Sequence, residues 1–154
     1  MPENIGALRK TRMRLVQEEY AQIMGQDQPI EFYSDEEIDL DRYKKVKEIL
    51  EQKREYIDSL ISKYSPKRPV PLINKPDLAV LRVAIAETFL GKLVPVKVGI
   101  NEAVEIAKRF GTQQSYKFIN GVLGSMLREE FSELLEQTQE QNQLKKEKQE
   151  DNKA

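Results

Sequence analysis

A cluster of basic side chains near the start of the chain is the first feature whose residue types could carry chemistry. Glu3 is the only acidic residue before Glu18, and on a helical wheel Arg12 shares a stripe with apolar Val16. Burying an unpaired guanidinium in that stripe would be very costly. We therefore expect the first helical turn to project beyond the bundle into solvent. There the cluster could neutralise the phosphates of a nucleic acid, or it could simply be a solvated helix start. Its members are Arg9, Lys10, Arg12 and Arg14.

A second candidate site is the segment SYKFINGVL at 115–123, where Ser115 could cap a helix and Lys117 stands beside Phe118. A helix start offers unpaired amide groups to an anion. An aromatic ring beside a lysine suits single-stranded RNA, because the ring stacks on a base and the lysine meets the backbone. The alternative is that Phe118 belongs to the core, since it lies near the apolar stripe that contains Ile119 and Val122.

Two charged residues, Arg82 and Glu87, interrupt the otherwise apolar segment 78–90. A charge in such a helix is either paired or on an exposed stripe, and we expect exposure. The segment 101–111 carries Glu102, Glu105 and Lys108, which we interpret as charges on a solvated helix face, with Glu105 and Lys108 at the spacing of an ordinary ion pair.

The composition argues against catalysis. The 154 residues contain no cysteine and no histidine, which excludes disulfides, thiolate metal ligands and the commonest general base. No carboxylate spacing suggests a catalytic or metal site, and no glycine-rich phosphate loop is present. We therefore predict no enzyme activity, no metal and no cofactor. We also predict no membrane span, since no run of about 18 apolar residues occurs, and no signal peptide.

Apolar residues recur at helical spacing almost throughout, which predicts an all-α fold. The expected helices cover about 8–24, a stretch from a capping box at Ser34 and Glu37 to Tyr64 that forms one or two helices, 78–90 capped by Asp77, 96–110, and a last helix from Ser115. Prolines divide the chain near 65–76. We expect one helical domain over 1–136 and a disordered, charged C-terminal tail over 137–154, which has little apolar surface to bury.

Several segments resemble the NusB family of transcription antitermination factors. They are RKTRMRLVQEEY at 9–20, VLRVA at 80–84 with Glu87, VPVKVGINEAVEIAKRFG at 94–111, and SYKFINGVL at 115–123. The resemblance implies a fold of two small helical bundles packed at an angle. Two positions depart from the family pattern: Gln114 stands where an acidic residue is frequent, and Glu19 stands where an apolar residue is usual.

The resemblance implies a cytoplasmic factor that binds boxA-type single-stranded RNA together with NusE, a small-subunit ribosomal protein. The two would act within the transcription elongation complex, mainly on ribosomal RNA operons, and a homo-oligomer stays open. By the same resemblance, one set of residues faces NusE, namely Tyr20, Arg82 and Glu87. Another set contacts RNA, namely Arg9, Lys10, Arg12, Ser115, Lys117 and Phe118.

Two other functions fit the same pattern. A helical interaction or scaffold module could have kept the fold without binding RNA, which the overall net charge of −1 and the departure at Glu19 favour. The second is the NusB-like domain of a ribosomal RNA methyltransferase, although the sequence contains no βαβ segment that could bind adenosylmethionine.

Overall fold

The computed structural model describes residues 6–26, 33–110 and 113–135. Within these ranges the chain contains helices and no strand, which confirms the predicted all-α fold for this part of the molecule. The elements are α1 (Ala7–Ile23), α2 (Leu40–Tyr64), a 3₁₀ turn (Val70–Leu72), α3 (Lys75–Ala84), a π-helical segment (Ile85–Leu90) that continues α3, α4 (Val96–Phe110) and α5 (Gln113–Glu129). The predicted tail over 137–154 lies outside the described residues, and the subdivision near 65–76 stays a prediction.

A glycine ends α1. Gly25 adopts a left-handed φ of 71°, and the amide of Gln26 donates to the carbonyl of Ala21 at 2.9 Å. A glycine in this conformation turns the chain back over the last helical carbonyls without steric cost.

The start of α2 differs from the prediction. Ser34 donates its amide and its hydroxyl to the Glu37 carboxylate at 3.2 and 3.1 Å, but this pair closes only a turn. The helix begins at Leu40, where the Asp39 side chain accepts from the Arg42 amide at 3.0 Å. The reason is a tertiary contact: the amide of Asp39 donates to the Thr11 hydroxyl at 2.8 Å, which holds Asp39 in extended backbone and prevents an earlier helix start. From Leu40 the helix runs unbroken to Tyr64.

The predicted caps at Asp77 and Ser115 are also wrong. Asn74 is the cap of α3, and Asp77 lies buried inside its first turn. Ser115 lies inside α5, where it is buried and hydrogen-bonds to the Asp77 carboxylate. Burial raises the pKa of Asp77, and the bond from Ser115 opposes that rise. The two residues therefore join α3 to α5 instead of starting the two helices.

The centre of the molecule is α3 with its π-helical segment, which packs against α1, α2, α4 and α5. Residues 77–89 are all buried. The close approach of α4 depends on Gly99, because a Cβ atom there would lie 2.1 Å from the Oγ1 atom of Thr88. None of the described helices is long and apolar enough to span a membrane.

Candidate nucleic-acid interface

The basic cluster of α1 does not project into solvent, so that expectation is wrong for two of its members. Arg12 is only 5% exposed and Arg14 is also buried. The Arg12 guanidinium donates to Glu87 at 2.7 Å and to Glu102 at 3.3 Å. These carboxylates remove the penalty of burying an unpaired charge, which is why Arg12 can continue the core-facing stripe of α1.

Glu87 is the other half of this arrangement and is 2% exposed, so the expectation that it faces solvent is wrong. One carboxylate oxygen accepts from Arg12 and the other accepts from Arg42 of α2 at 2.6 Å. The π-helical segment that carries Glu87 is covered by neighbouring helices and has no exposed stripe on which a charge could lie. The Arg12–Glu87–Arg42 cluster therefore ties α1, α2 and the π-helical segment together.

Arg9 and Lys10 form the surface part of the basic cluster. The Arg9 side chain is 31% exposed, and it donates two hydrogen bonds to Glu102 of α4, at 3.1 and 2.7 Å. These bonds hold the pKa of Glu102 below its ordinary value, although partial burial opposes the shift. Lys10 lies 4.0 Å from Glu37 and 5.7 Å from the ring centroid of Tyr33. Glu102 is thus a bridge to α1 and not the solvated helix-face charge we expected.

Arg14 has an internal role. Its guanidinium contacts Asp35 at 2.7 Å and Glu18 at 3.6 Å, and it lies 4.6 Å from the ring centroid of Tyr43. This arginine connects α1 to the start of α2, which agrees with its absence from the proposed RNA contacts.

At the start of α5, Lys117 is exposed and Phe118 is half-buried. The Phe118 ring packs against the core, as the alternative interpretation expected, but it also lies beneath the Arg68 guanidinium, 4.7 Å from the ring centroid. Both side chains line a groove of about 600 Å³ that also contains Lys67 and Lys117 and that we call the Arg68 groove. Lys67 and Arg68 carry no separate sequence signal, since they fall in the proline-rich connection between α2 and α3.

Of the residues expected to face NusE, Tyr20 is exposed at 37% and stands one turn from the exposed Met24. Arg82 is buried and donates to Asp58 at 2.7 Å and to Glu19 at 3.3 Å. The expected exposure of Arg82 is therefore wrong, since a carboxylate of α1 and one of α2 enclose it.

The family departure at Glu19 has a structural explanation. Its carboxylate is buried, and it accepts from Arg54 at 2.6 Å and from Arg82. Glu19 therefore replaces apolar packing with a charged cluster that links α1, α2 and α3.

The described residues contain no group of three or more acidic side chains that could hold a metal ion. Their grooves offer lysine, arginine, amide and aromatic groups, which bind anions and flat rings.

Known proteins of one family match this chain in sequence and in fold. A sequence model of the NusB family matches residues 7–128. The chain is 37% identical over 92 residues to the transcription antitermination protein NusB of Clostridium acetobutylicum, covering 60% of this chain and 68% of that protein. It is 47% identical over 76 residues to NusB of Thermoanaerobacter sp. strain X514, covering 49% of this chain and 54% of that protein. The match to NusB of Chloroflexus aggregans, 43% over 76 residues, likewise spans about half of each protein, 48% and 51%.

The fold is similar to that of T. maritima NusB, with a TM-score of 0.68 and 28% sequence identity over 81% of this chain and 94% of that one. The family match covers most of the chain and includes every helix described above except the last residue of α5. The chain therefore belongs to the NusB family, the family of the transcription antitermination proteins named above.

Proposed function

We propose that this protein is a transcription antitermination factor that binds boxA-type single-stranded RNA together with NusE, mainly during transcription of ribosomal RNA operons. The observation that carries the proposal is the Arg68 groove, which gathers Lys67, Arg68 and Lys117 around the half-buried ring of Phe118. Single-stranded RNA is bound by this combination of cations for the phosphates and an aromatic face for a base.

The proposed RNA-binding surface has one end at α5 and the other at α1, and its basic side chains differ in accessibility between the two ends. At the α5 end, Lys117 is exposed and can meet a phosphate directly. At the α1 end, a phosphate that binds Arg9 must compete with the Glu102 carboxylate, which holds the guanidinium through two hydrogen bonds. We propose that Arg12 affects RNA binding only indirectly, through its own contact with the Glu102 carboxylate at 3.3 Å.

The proposed NusE surface centres on Tyr20, which presents an aromatic ring to solvent beside Met24. Exposed aromatic residues are frequent anchors in protein interfaces. Arg82 and Glu87 would then support this surface from within, because their ion pairs hold α1 against α2 and α3. If RNA and NusE also contact each other, binding of one to this protein raises the effective concentration of the other at its own surface. The two binding events then strengthen each other.

Fluorescence anisotropy with a boxA-type RNA and a scrambled RNA of equal length tests this proposal. We expect tighter binding of the boxA-type RNA. The double variant Arg9→Ala and Lys10→Ala should lower the salt dependence of binding by about 1.4 on a log–log plot, about 0.7 for each lost phosphate contact. A matched control is Lys44→Ala with Lys53→Ala, which removes two exposed lysines of α2. Equal affinity for both RNAs, with an unchanged slope in the Arg9 and Lys10 variant, would contradict the proposal.

The scaffold module is the second candidate, and one observation favours it. Arg9, Arg12 and Arg14 all contact carboxylates of the protein itself, so the basic motif already serves the fold. This alternative would be established if the protein bound NusE as tightly as related NusB proteins do but bound neither RNA.

A further inference from the structure

A second groove lies on the other side of Lys117, between α4 and α5, and we call it the α4–α5 groove. It has a volume of about 520 Å³, close to that of the Arg68 groove. The two grooves share Lys117 and Gly121 as lining residues. Its lining residues that could bind a ligand through charge, amide or ring are Lys97, Asn101, Lys108, Tyr116, Lys117 and Asn120.

The charge of this groove is positive. None of its described lining residues is acidic. Lys97 and Lys117 are exposed and form no ion pair with any described residue. Lys108 lies 3.3 Å from Glu105, but both side chains are nearly half exposed, so this pair contributes little and can open at small cost.

The groove also offers groups that recognise bases. Asn101 and Asn120 are exposed, and each amide can both donate and accept a hydrogen bond. The ring of Tyr116 is half-buried against the core, and the Lys108 ammonium lies 5.3 Å from its centroid. Movement of Lys108 towards a phosphate would uncover this ring face for a base.

The boundary between the two grooves is low. Gly121 stands there, and a Cβ atom added to it would meet no other atom within 4 Å. An extended single strand of RNA can therefore cross α5 from one groove to the other, with Lys117 beside it.

We propose that the α4–α5 groove binds nucleotides that flank the boxA-type core, so that one RNA strand occupies both grooves and crosses α5 at Lys117. This inference rests on the proposed function. An acidic peptide would also match the three lysines, but a peptide would not account for the combination of an aromatic ring, two amides and direct continuity with the Arg68 groove.

The test uses the full chain and two RNAs, a boxA-type core and the same core with a short oligouridine extension at either end. We expect the extension to strengthen binding to the wild-type protein. The double variant Lys97→Ala and Lys108→Ala should bind the core RNA normally but lose the gain from the extension. Its salt slope on the extended RNA should fall by about 1.4, for two lost phosphate contacts. The control variant Lys44→Ala with Lys53→Ala removes the same amount of charge from α2 and should leave the affinity for both RNAs unchanged.

Gly121→Glu provides a second, steric and electrostatic test, since it places a carboxylate between the grooves. It should weaken binding of the extended RNA more than binding of the core RNA. Thermal melts of each variant report whether the fold is intact.

The outcomes separate the two proposals. Wild-type binding of the core RNA with no gain from either extension overturns this inference and leaves the proposed function standing. Failure of the wild-type protein to bind either RNA overturns both. A loss of NusE affinity in the Lys97 and Lys108 variant, with its RNA affinities unchanged, would show that the groove binds protein and would overturn the inference.

Discussion

The buried cluster of Arg12, Glu87 and Arg42 gives the sharpest prediction about stability. Glu87→Ala would leave the buried guanidinium of Arg12 with a single, longer contact to Glu102 at 3.3 Å. It would also leave Arg42, whose side chain is 19% exposed, without its carboxylate at 2.6 Å. Removal of one partner from a buried ion pair costs about 3–5 kcal/mol, and the more accessible Arg42 adds less than about 1 kcal/mol.

A loss of about 3–5 kcal/mol is a large part of the 5–15 kcal/mol that typically stabilises a domain. At about 3 °C per kcal/mol, the melting temperature of Glu87→Ala should fall by roughly 10–15 °C. Glu87→Lys should be worse, because it places a third cation beside the two arginines. Urea unfolding followed by circular dichroism, together with thermal melts, measures both variants.

Two controls make the Glu87 prediction specific. Glu105→Ala removes an exposed carboxylate that contacts Lys108, and it should cost less than about 1 kcal/mol. The double variant Arg12→Met and Glu87→Leu removes both buried charges and should recover part of the loss seen for Glu87→Ala. A melting temperature for Glu87→Ala within about 2 °C of the wild type would refute the assignment of this cluster as a stabilising element.

Three further changes test other parts of the structure. Glu102→Gln should raise RNA affinity in an anisotropy titration, because it weakens the carboxylate that competes with RNA for Arg9. In the wild-type protein the pKa of Glu102 is lowered by its hydrogen bonds from Arg9. The contribution of Glu102 to stability should therefore be complete above its ordinary pKa of 4.5, and thermal melts should show it disappear as pH falls through the lowered value. Gly99→Ala should cost about 1–3 kcal/mol in urea unfolding, since its Cβ would lie 2.1 Å from the Oγ1 atom of Thr88. Phe118→Leu should reduce RNA affinity by roughly 1–3 kcal/mol and preserve the salt slope, since it removes a stacking face and no charge.

The changes at Glu102 and Gly99 have matched controls, and each of the three changes has a contradicting result. Glu105→Gln is the control for Glu102→Gln, and an unchanged or lower RNA affinity in the Glu102 variant would reject the competition. Gly121→Ala is the control for Gly99→Ala and should stabilise α5 by about 1 kcal/mol; equal stability of the two variants would contradict the close approach of α4. If Phe118→Leu lowers only the melting temperature, Phe118 serves the core and not the RNA.

Local sequence signals predicted most of the helices well. The prediction of 96–110 agrees with α4, and that of 8–24 differs from α1 by one residue at each end. The start of α2 was missed because it depends on a hydrogen bond from Asp39 to Thr11, residues separated by 28 positions. A capping box reports only the preference of its own turn, so it could not reveal this contact.

The charged clusters show the same limit. Arg12 and Glu87 are 75 residues apart, and nothing local to either one shows that they meet. A weak signal was present, since each is a charge within an apolar stripe and their signs are opposite. Helices that bury charges of opposite sign can satisfy both by packing together. The role of Glu19 was hidden for the same reason, because its partners Arg54 and Arg82 come from two other helices.

A thermodynamic cycle measured by isothermal titration calorimetry tests the central claim most directly. It compares the affinity of this protein for a boxA-type RNA with and without saturating NusE, and its affinity for NusE with and without that RNA. We expect each ligand to strengthen the other by the same factor, because coupling between two binding sites is reciprocal. A protein that binds neither ligand, or that binds NusE with an affinity unaffected by RNA and shows no preference for the boxA-type sequence, would contradict the account.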